Sequence, residues 1–159
     1  MNILFFLIPK INVVCVKQDY TLRQALEKMH AHRYSVIPIV TRSGEYVGTL
    51  SEGDILWFLK EHQNLDLNAT DDIKITDIER YRSYSSINVM QNMEDLIHIA
   101  TEQNFVPVVD DRNMFIGIIT RKSVITYFAS KVEDKEEKKP AKKTTKKEAT
   151  KNANGKTTK

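Results

Sequence analysis

Ile37-Pro38-Ile39-Val40 leads through a short turn to Gly48-Thr49-Leu50-Ser51, and the same pattern returns as Val106-Pro107-Val108-Val109 and Gly117-Ile118-Ile119-Thr120. The proline, the glycine and the final hydroxyl residue of the first copy each lie 69 residues before their counterparts in the second. A pattern that recurs at a fixed spacing is the sequence signature of a repeat architecture. The chain is therefore predicted to be a tandem duplication of one structural unit.

Both copies show the same order of predicted secondary structure. Short runs of β-branched and apolar residues predict strands, and apolar residues at i, i+3, i+4 and i+7 predict helices with one buried face. The first copy has strand 12–16, a helix capped by Thr21, strands 36–40 and 46–50 around a turn with Gly44, and a helix that begins at 52–59. The second copy has strand 87–89, a helix over 93–100, strands 105–109 and 114–119 around a turn with Asn113, and a helix that begins at 121–128. The order β-α-β-β-α, present twice, predicts an α/β fold.

The predicted repeats occupy residues 1–66 and 67–132, and residues 133–159 form a tail. The apolar run from Ile3 to Ile8 lacks the basic start and the small-residue cleavage site of a signal peptide. We therefore expect this run to be a buried strand that is closed by Pro9.

The last helix of each copy is apolar around most of its circumference, at 55–59 in the first copy and at 124–128 in the second. A helix that lies on a single sheet shows only one apolar stripe. The pattern predicts that these helices are buried between the repeats and that part of their surface meets a second subunit, in a homodimer.

Charge is distributed unevenly along the chain. Residues 1–132 carry 14 Lys+Arg against 16 Asp+Glu, whereas residues 133–159 carry 10 against 5 and no aromatic or branched apolar residue. Such a segment cannot bury enough apolar surface to fold, so the tail is predicted to be disordered. A lysine-rich arm can make weak, sequence-independent contact with nucleic acid, or it can act only as a solubilising extension. The composition is compatible with both interpretations.

The composition also bears on the compartment. A single cysteine, Cys15, excludes an intramolecular disulfide framework and fits a reducing environment. No segment approaches the roughly 20 apolar residues that a membrane span needs. We expect a soluble, cytoplasmic protein that makes no membrane contact.

The repeated pattern of apolar-Pro-apolar-apolar, a turn, and then Gly-x-apolar-Ser/Thr-x-x-Asp resembles the cystathionine-β-synthase (CBS) domain, and two copies resemble a Bateman module. The resemblance covers roughly residues 3 to 130. It implies two pseudo-symmetric clefts between the repeats that commonly bind adenosine nucleotides. It also implies that the module dimerises through its helices.

The first copy carries the full motif. Ser51 lies at a helix N-terminus, where free N–H groups favour an anion, and Asp54 can either complete the cap or, as the family uses it, accept hydrogen bonds from ribose hydroxyls. We favour the ribose role for Asp54. Gly48 and Gly117 allow the backbone to approach a ligand or a neighbouring strand. Apolar walls that could enclose a purine are expected from two stretches, Val36, Ile37 and Pro38 in the first copy and Phe105, Val106 and Pro107 in the second.

The second copy departs from the motif, because Ser123 stands where Asp is expected after Thr120. A ribose diol would lose its charged acceptor there, so nucleoside binding in the second cleft is in doubt. Arg121 and Lys122 instead bring two positive charges, which either contact phosphate or are solvated surface cations. The Thr-Arg-basic run is similar to that of CBS proteins from Gram-positive bacteria that bind cyclic di-AMP.

No catalytic or metal-binding pattern is present in the sequence, because the four histidines lack ligand spacing and Cys15 falls in an apolar strand. We therefore expect a non-catalytic module with no metal and no cofactor other than an adenine nucleotide as regulatory ligand (AMP, ADP, ATP or cyclic di-AMP). Such a module would signal to a partner protein that the sequence does not identify. The alternative is a dimeric scaffold that presents basic disordered arms to nucleic acid or another anionic surface.

Overall fold

The computed structural model describes residues 2–62 and 67–137. The first repeat contains β2 (Val16–Lys17), α1 (Leu22–His32), β3 (Val36–Val40), β4 (Tyr46–Ser51) and α2 (Glu52–Glu61), and β1 (Ile8–Pro9) precedes it. The second repeat contains β5 (Ile87–Asn88), α3 (Met93–Glu102), β6 (Phe105–Val109), β7 (Phe115–Thr120) and α4 (Arg121–Glu137). The predicted α/β fold with two β-α-β-β-α repeats is confirmed.

Each repeat builds its own sheet. In the first, β3 pairs in parallel with β2 and antiparallel with β4, with Ile37 opposite Leu50. In the second, β6 pairs in the same two ways with β5 and β7, with Val106 opposite Ile119. Parallel pairing requires a crossover, and α1 and α3 provide it. The predicted turn residues adopt the expected conformation, because Gly44 has φ 99° and Asn113 has φ 61°.

The predicted N-terminal strand is wrong over most of its length. Ile3–Phe6 forms a 3₁₀ helix, which begins where the side chain of Asn2 accepts a hydrogen bond from the backbone N–H of Leu4. Only β1 is extended, and it lies at the edge of the second sheet, antiparallel to β7. Proline lacks an N–H, so a strand that ends at Pro9 suits an edge position. The strand predicted over 12–16 is likewise shorter in the structure, because a 3₁₀ helix occupies Lys10–Asn12 before β2.

Each repeat buries residues from the segment that precedes the other repeat. Ile3 and Phe6, at the start of the chain, lie in the core of the second repeat. Ile75 and Ile78, from the linker between the repeats, lie in the core of the first. A cut of the chain at the predicted boundary of residue 66 would therefore separate Ile75 and Ile78 from the core that they complete.

A third apolar cluster joins the two repeats. Val40 and Tyr46 from the first hairpin pack with Val109 and Phe115 from the second, and the rings of Tyr46 and Phe115 are stacked. Backbone hydrogen bonds link the same hairpins, from the N–H of Tyr46 to the carbonyl of Asn113 and from the N–H of Phe115 to the carbonyl of Gly44. The two hairpins therefore meet through a pseudo-symmetric set of contacts.

The end of the folded region differs from the prediction. The backbone of α4 continues to Glu137, so its last five residues, 133–137, extend into the segment that was predicted to be a disordered tail. The rest of that segment, residues 138–159, lies outside the described residues, as does any contact it makes with nucleic acid. In the described part of the chain, no helix is both long enough and apolar enough to cross a membrane.

The neighbouring residues Phe5 and Phe6 test the role of the N-terminal segment, because Phe6 is only 7% exposed whereas Phe5 is 73% exposed. We expect Phe6→Ala to lower the free energy of unfolding by about 3 to 5 kcal/mol, because it leaves a cavity in the second core. Phe5→Ala loses only edge contacts with the rings of Phe6 and Tyr127 and should cost less than about 1.5 kcal/mol. Urea denaturation measures both values, and equal losses would contradict this packing.

Candidate functional site

The predicted apolar walls lie mostly inside the protein. The side chains of Ile37 and Val106 are fully buried, and Pro38, Phe105 and Pro107 are also buried. These residues lie on β3 and β6, which each have a paired strand on both sides. Of the six predicted wall residues, Val36 alone is half-buried. In this conformation the predicted walls therefore act chiefly as core.

Ser51 and Asp54 meet at the start of α2, as predicted. The Ser51 hydroxyl accepts a hydrogen bond from the Asp54 N–H at 3.1 Å and donates one to Asp54 Oδ2 at 2.7 Å. The same carboxylate oxygen accepts the Ser51 N–H at 2.9 Å, which completes a capping box. Asp54 is 3% exposed, so the cap holds a buried carboxylate in one orientation.

The linker between the repeats covers this carboxylate. The backbone N–H of Tyr81 donates to Asp54 Oδ1 at 3.0 Å, and the side chain of Arg80 lies against Gly48. Further along, the carbonyl of Tyr84 accepts a hydrogen bond from the Tyr46 hydroxyl at 3.3 Å. We call residues 80–84 the linker strap. None of the sequence motifs pointed to these residues, although two arginines and two tyrosines in a segment without helix or strand periodicity were an available signal.

The second motif forms only the cap. The Thr120 hydroxyl accepts the Ser123 N–H at 3.1 Å, and the Ser123 hydroxyl donates to the Thr120 carbonyl at 2.7 Å. Because Ser123 is short and neutral, it offers no carboxylate to a ligand. An open groove of about 510 Å³ lies beside the motif. It is lined by N-terminal residues, by the last residue of β7 and by one side of α4, namely Phe5, Phe6, Leu7, Thr120, Lys122, Ser123, Thr126, Tyr127 and Ser130.

Arg121 and Lys122, predicted as a pair, serve different surfaces. Lys122 lines the groove, whereas the guanidinium of Arg121 donates to the side-chain oxygen of Asn104. Burial raises the pKa of Tyr84, and the nearby charges of Arg82 and Arg121 act in the opposite direction. The charge of Asp54 also raises this pKa. Asp54 from one repeat and Arg121 from the other thus act electrostatically on the same residue of the linker strap.

The two motif glycines accommodate different neighbours. A Cβ at Gly117 would lie 2.1 Å from the carbonyl oxygen of Ile8, because β1 runs directly beside it. A Cβ at Gly48 would meet only the guanidinium end of Arg80, at 2.8 Å. Gly117 therefore admits a neighbouring strand, while Gly48 is covered by a side chain that can move.

The histidine, cysteine and acidic side chains of the described residues bear on a second kind of site, a metal centre or a reactive thiol. In the described residues no group of His, Cys, Asp and Glu is arranged to hold a metal ion. Cys15 is half-buried, and its burial raises the pKa of the thiol to about 11. The thiol is therefore protonated at neutral pH, whereas the nucleophilic form of cysteine is the thiolate.

Comparison with known proteins identifies the fold. The model of the CBS domain family matches twice, at residues 8–61 and 78–130, and together these segments make up more than half of the chain. The chain belongs to the CBS domain family. The resemblance drawn from the two sequence motifs is confirmed, and the two matches correspond to the two repeats of the structure.

Several relatives are similar over most of this chain. The structure of CbpB in complex with c-di-AMP has a TM-score of 0.75 and 25% identity, over 86% of this chain and 90% of that chain. CBSX2 in complex with AMP has a TM-score of 0.65 and 26% identity, over 83% and 98%. The magnesium transporter MgtE of Bacillus subtilis is 24% identical over 132 residues, which is 79% of this chain but 27% of MgtE. The chain thus spans about a quarter of the length of that curated relative.

Alanine substitutions at the two glycines should have unequal effects on stability. We expect Gly117→Ala to lower the free energy of unfolding by about 2 kcal/mol more than Gly48→Ala, because a backbone strand must shift beside Gly117, whereas the end of Arg80 can swing away from Gly48. The φ angles of the two glycines are 157° and 159°, so the backbone contribution is matched. Chemical denaturation gives both values, and a larger loss at Gly48 would contradict the assignment of neighbours.

Proposed function

We propose that this protein is a non-catalytic regulatory module that binds an adenine nucleotide in the first cleft, beside Ser51 and Asp54. The observation that carries this proposal is that the start of α2 holds the buried carboxylate of Asp54 in one orientation, through hydrogen bonds from the N–H and the hydroxyl of Ser51. A carboxylate held in this way suits the diol of a nucleotide's ribose. The complexes of CbpB with c-di-AMP and of CBSX2 with AMP support the same class of ligand.

The chemistry of the cleft suits the parts of such a ligand. Asp54 Oδ1 faces the linker strap, so it is the carboxylate oxygen available to a ribose hydroxyl once the Tyr81 N–H has left. Hydrogen bonds to a charged acceptor are stronger than neutral ones, which favours a diol in this position. The guanidinium of Arg121, oriented by Asn104, supplies the charge for phosphate. Ser123 cannot reproduce the acceptor, so we assign the ribose to the first cleft rather than the second.

Removal of the Arg121 charge separates phosphate recognition from recognition of the nucleoside. We expect Arg121→Gln to weaken the binding of AMP, ATP and c-di-AMP by roughly tenfold to a hundredfold, as for the loss of a hydrogen bond to a charged group. The affinity for adenosine should change less than about twofold, and the loss should shrink at high salt if the contact is exposed. Isothermal titration calorimetry measures each affinity.

Arg112→Gln is the matched control, because Arg112 is an exposed arginine of the second hairpin turn that pairs with Asp110. It should leave every affinity unchanged. If Arg121→Gln lowered the affinity for adenosine as much as the affinity for the nucleotides, the result would contradict the phosphate role of Arg121. Absence of binding by AMP, ATP, c-di-AMP and adenosine to the unmodified protein would refute the proposed function itself.

We further propose that the module is a homodimer through α2 and α4. Both helices expose large apolar side chains, which are Leu56 and Trp57 on α2 and Ile125, Phe128 and Val132 on α4. Phe58, by contrast, packs against the core of the first repeat and stacks on His62. Two apolar helical faces exposed on a small domain are typical of a surface that is covered by a second copy.

Substitution in the exposed stripe tests this dimer. Ile125→Asp places a charge on a side chain that is 60% exposed, and we expect it to shift the mass seen by light scattering at micromolar concentration from dimer to monomer. Ile11→Asp is the control, because Ile11 is an apolar side chain that is 88% exposed and lies outside both helices. A monomeric unmodified protein, or loss of the dimer in Ile11→Asp alone, would contradict the assignment.

A further inference from the structure

The acceptor oxygens of Asp54 are divided between two tasks. Oδ2 accepts both the N–H and the hydroxyl of Ser51, so it is committed to the start of α2. Oδ1 accepts the backbone N–H of Tyr81 at 3.0 Å. A ligand diol that approaches this carboxylate therefore competes with the linker strap for Oδ1.

We propose that the linker strap is an internal lid of the first cleft, which must move away from Asp54 before a nucleotide can engage that carboxylate. The inference rests on the proposed function, because it describes how access to the same cleft is controlled. The apparent affinity is the intrinsic affinity multiplied by the fraction of molecules whose lid is open. A lid that is mostly closed therefore weakens binding without contacting the ligand.

A latch on the surface holds the lid. The Tyr81 hydroxyl donates to a carboxylate oxygen of Glu61, at the end of α2, with an oxygen–oxygen distance of 2.6 Å. A tyrosine hydroxyl is protonated and able to donate at neutral pH, and this hydrogen bond raises the pKa of Tyr81 further, to about 12. The side chain of Tyr81 is exposed, and its loss leaves no cavity in a core. The latch can therefore be removed without disturbing the fold.

The lid is also attached to the second repeat. The ring of Tyr84 packs on Phe105 with a centroid distance of 5.3 Å. The next residue, Ser85, exchanges two hydrogen bonds with the buried side chain of Gln103. Displacement of Tyr81 therefore moves a segment that is fixed to β6 at its other end. This attachment supplies a physical route from occupancy of the first cleft to the arrangement of the second repeat.

The equivalent position in the second repeat has no such freedom. There, Leu7 and Ile8 cover Gly117, and β1 holds them by pairing with β7. The linker strap contains no strand, and over Gly48 it places only the end of an arginine side chain. The asymmetry assigns the movable lid to the first cleft alone.

Amide hydrogen exchange at position 81 tests the lid directly. In the ligand-free protein we expect slow exchange of this amide, roughly twofold to fivefold faster exchange in Tyr81→Phe or Glu61→Ala, and faster exchange on addition of AMP, ATP or c-di-AMP. Glu27→Ala removes an exposed carboxylate from α1 and should leave the exchange rate unchanged. Fast exchange in the ligand-free unmodified protein, or slow exchange that persists when nucleotide saturates the protein, would overturn the lid.

A double-mutant cycle tests the latch through affinity. Tyr81→Phe and Glu61→Ala should each tighten nucleotide binding by roughly twofold to fivefold, and the double variant should gain no more than either alone, because both remove the same interaction. Weaker binding in both single variants would contradict the lid.

The two proposals fail in different ways. If AMP, ATP, c-di-AMP and adenosine all fail to bind to the unmodified protein, the proposed function fails, and exchange of the amide at position 81 then reports only whether the strap is closed. If a nucleotide binds to the unmodified protein and exchange of the amide at position 81 does not change, the lid is rejected and the proposed nucleotide site stands.

Discussion

The linker contributes Ile75 and Ile78 to the core of the first repeat, and the N-terminal segment contributes Ile3 and Phe6 to the core of the second. A unit of roughly 60 residues buries only about 60% of the surface that its unfolded chain exposes, and it is marginally stable alone. Exchange of the preceding segments enlarges both cores and attaches each repeat to the other. The rest of the structure depends on this exchange, because it determines where the connecting segments must run.

The path of the linker follows from the same constraint. Ile78 is anchored in the first core, and Ile87 begins β5 in the second sheet, so the residues between them must pass from one repeat to the other. Their route crosses the start of α2, where Asp54 is buried. The contact between the Tyr81 N–H and Asp54 is therefore a consequence of how the cores are closed, and it places a movable segment over the proposed ligand site.

The two halves of the module differ because their covering segments differ. A strand lies against Gly117, and an arginine side chain lies against Gly48. The carboxylate is also present on one side only, because Ser123 takes its place in the second motif. Pseudo-symmetry therefore describes the backbone, while the chemistry and the covering segments of the two motifs are distinct. The first repeat therefore carries the proposed ribose site, and the second carries a separate groove beside Lys122.

The sequence by itself determined the repeats, their order of elements and the turns, because apolar periodicity, the hairpin residues and the caps at Thr21 and Ser51 are local properties. It also indicated Ser51 with Asp54, whose pairing requires only helical geometry. Tertiary structure alone decided the rest: the 3₁₀ turn at Ile3–Phe6, the burial of the expected purine walls, the separation of Arg121 from Lys122, and the linker strap. These features depend on contacts between residues far apart in the chain, and local propensity does not encode which distant segment fills a core.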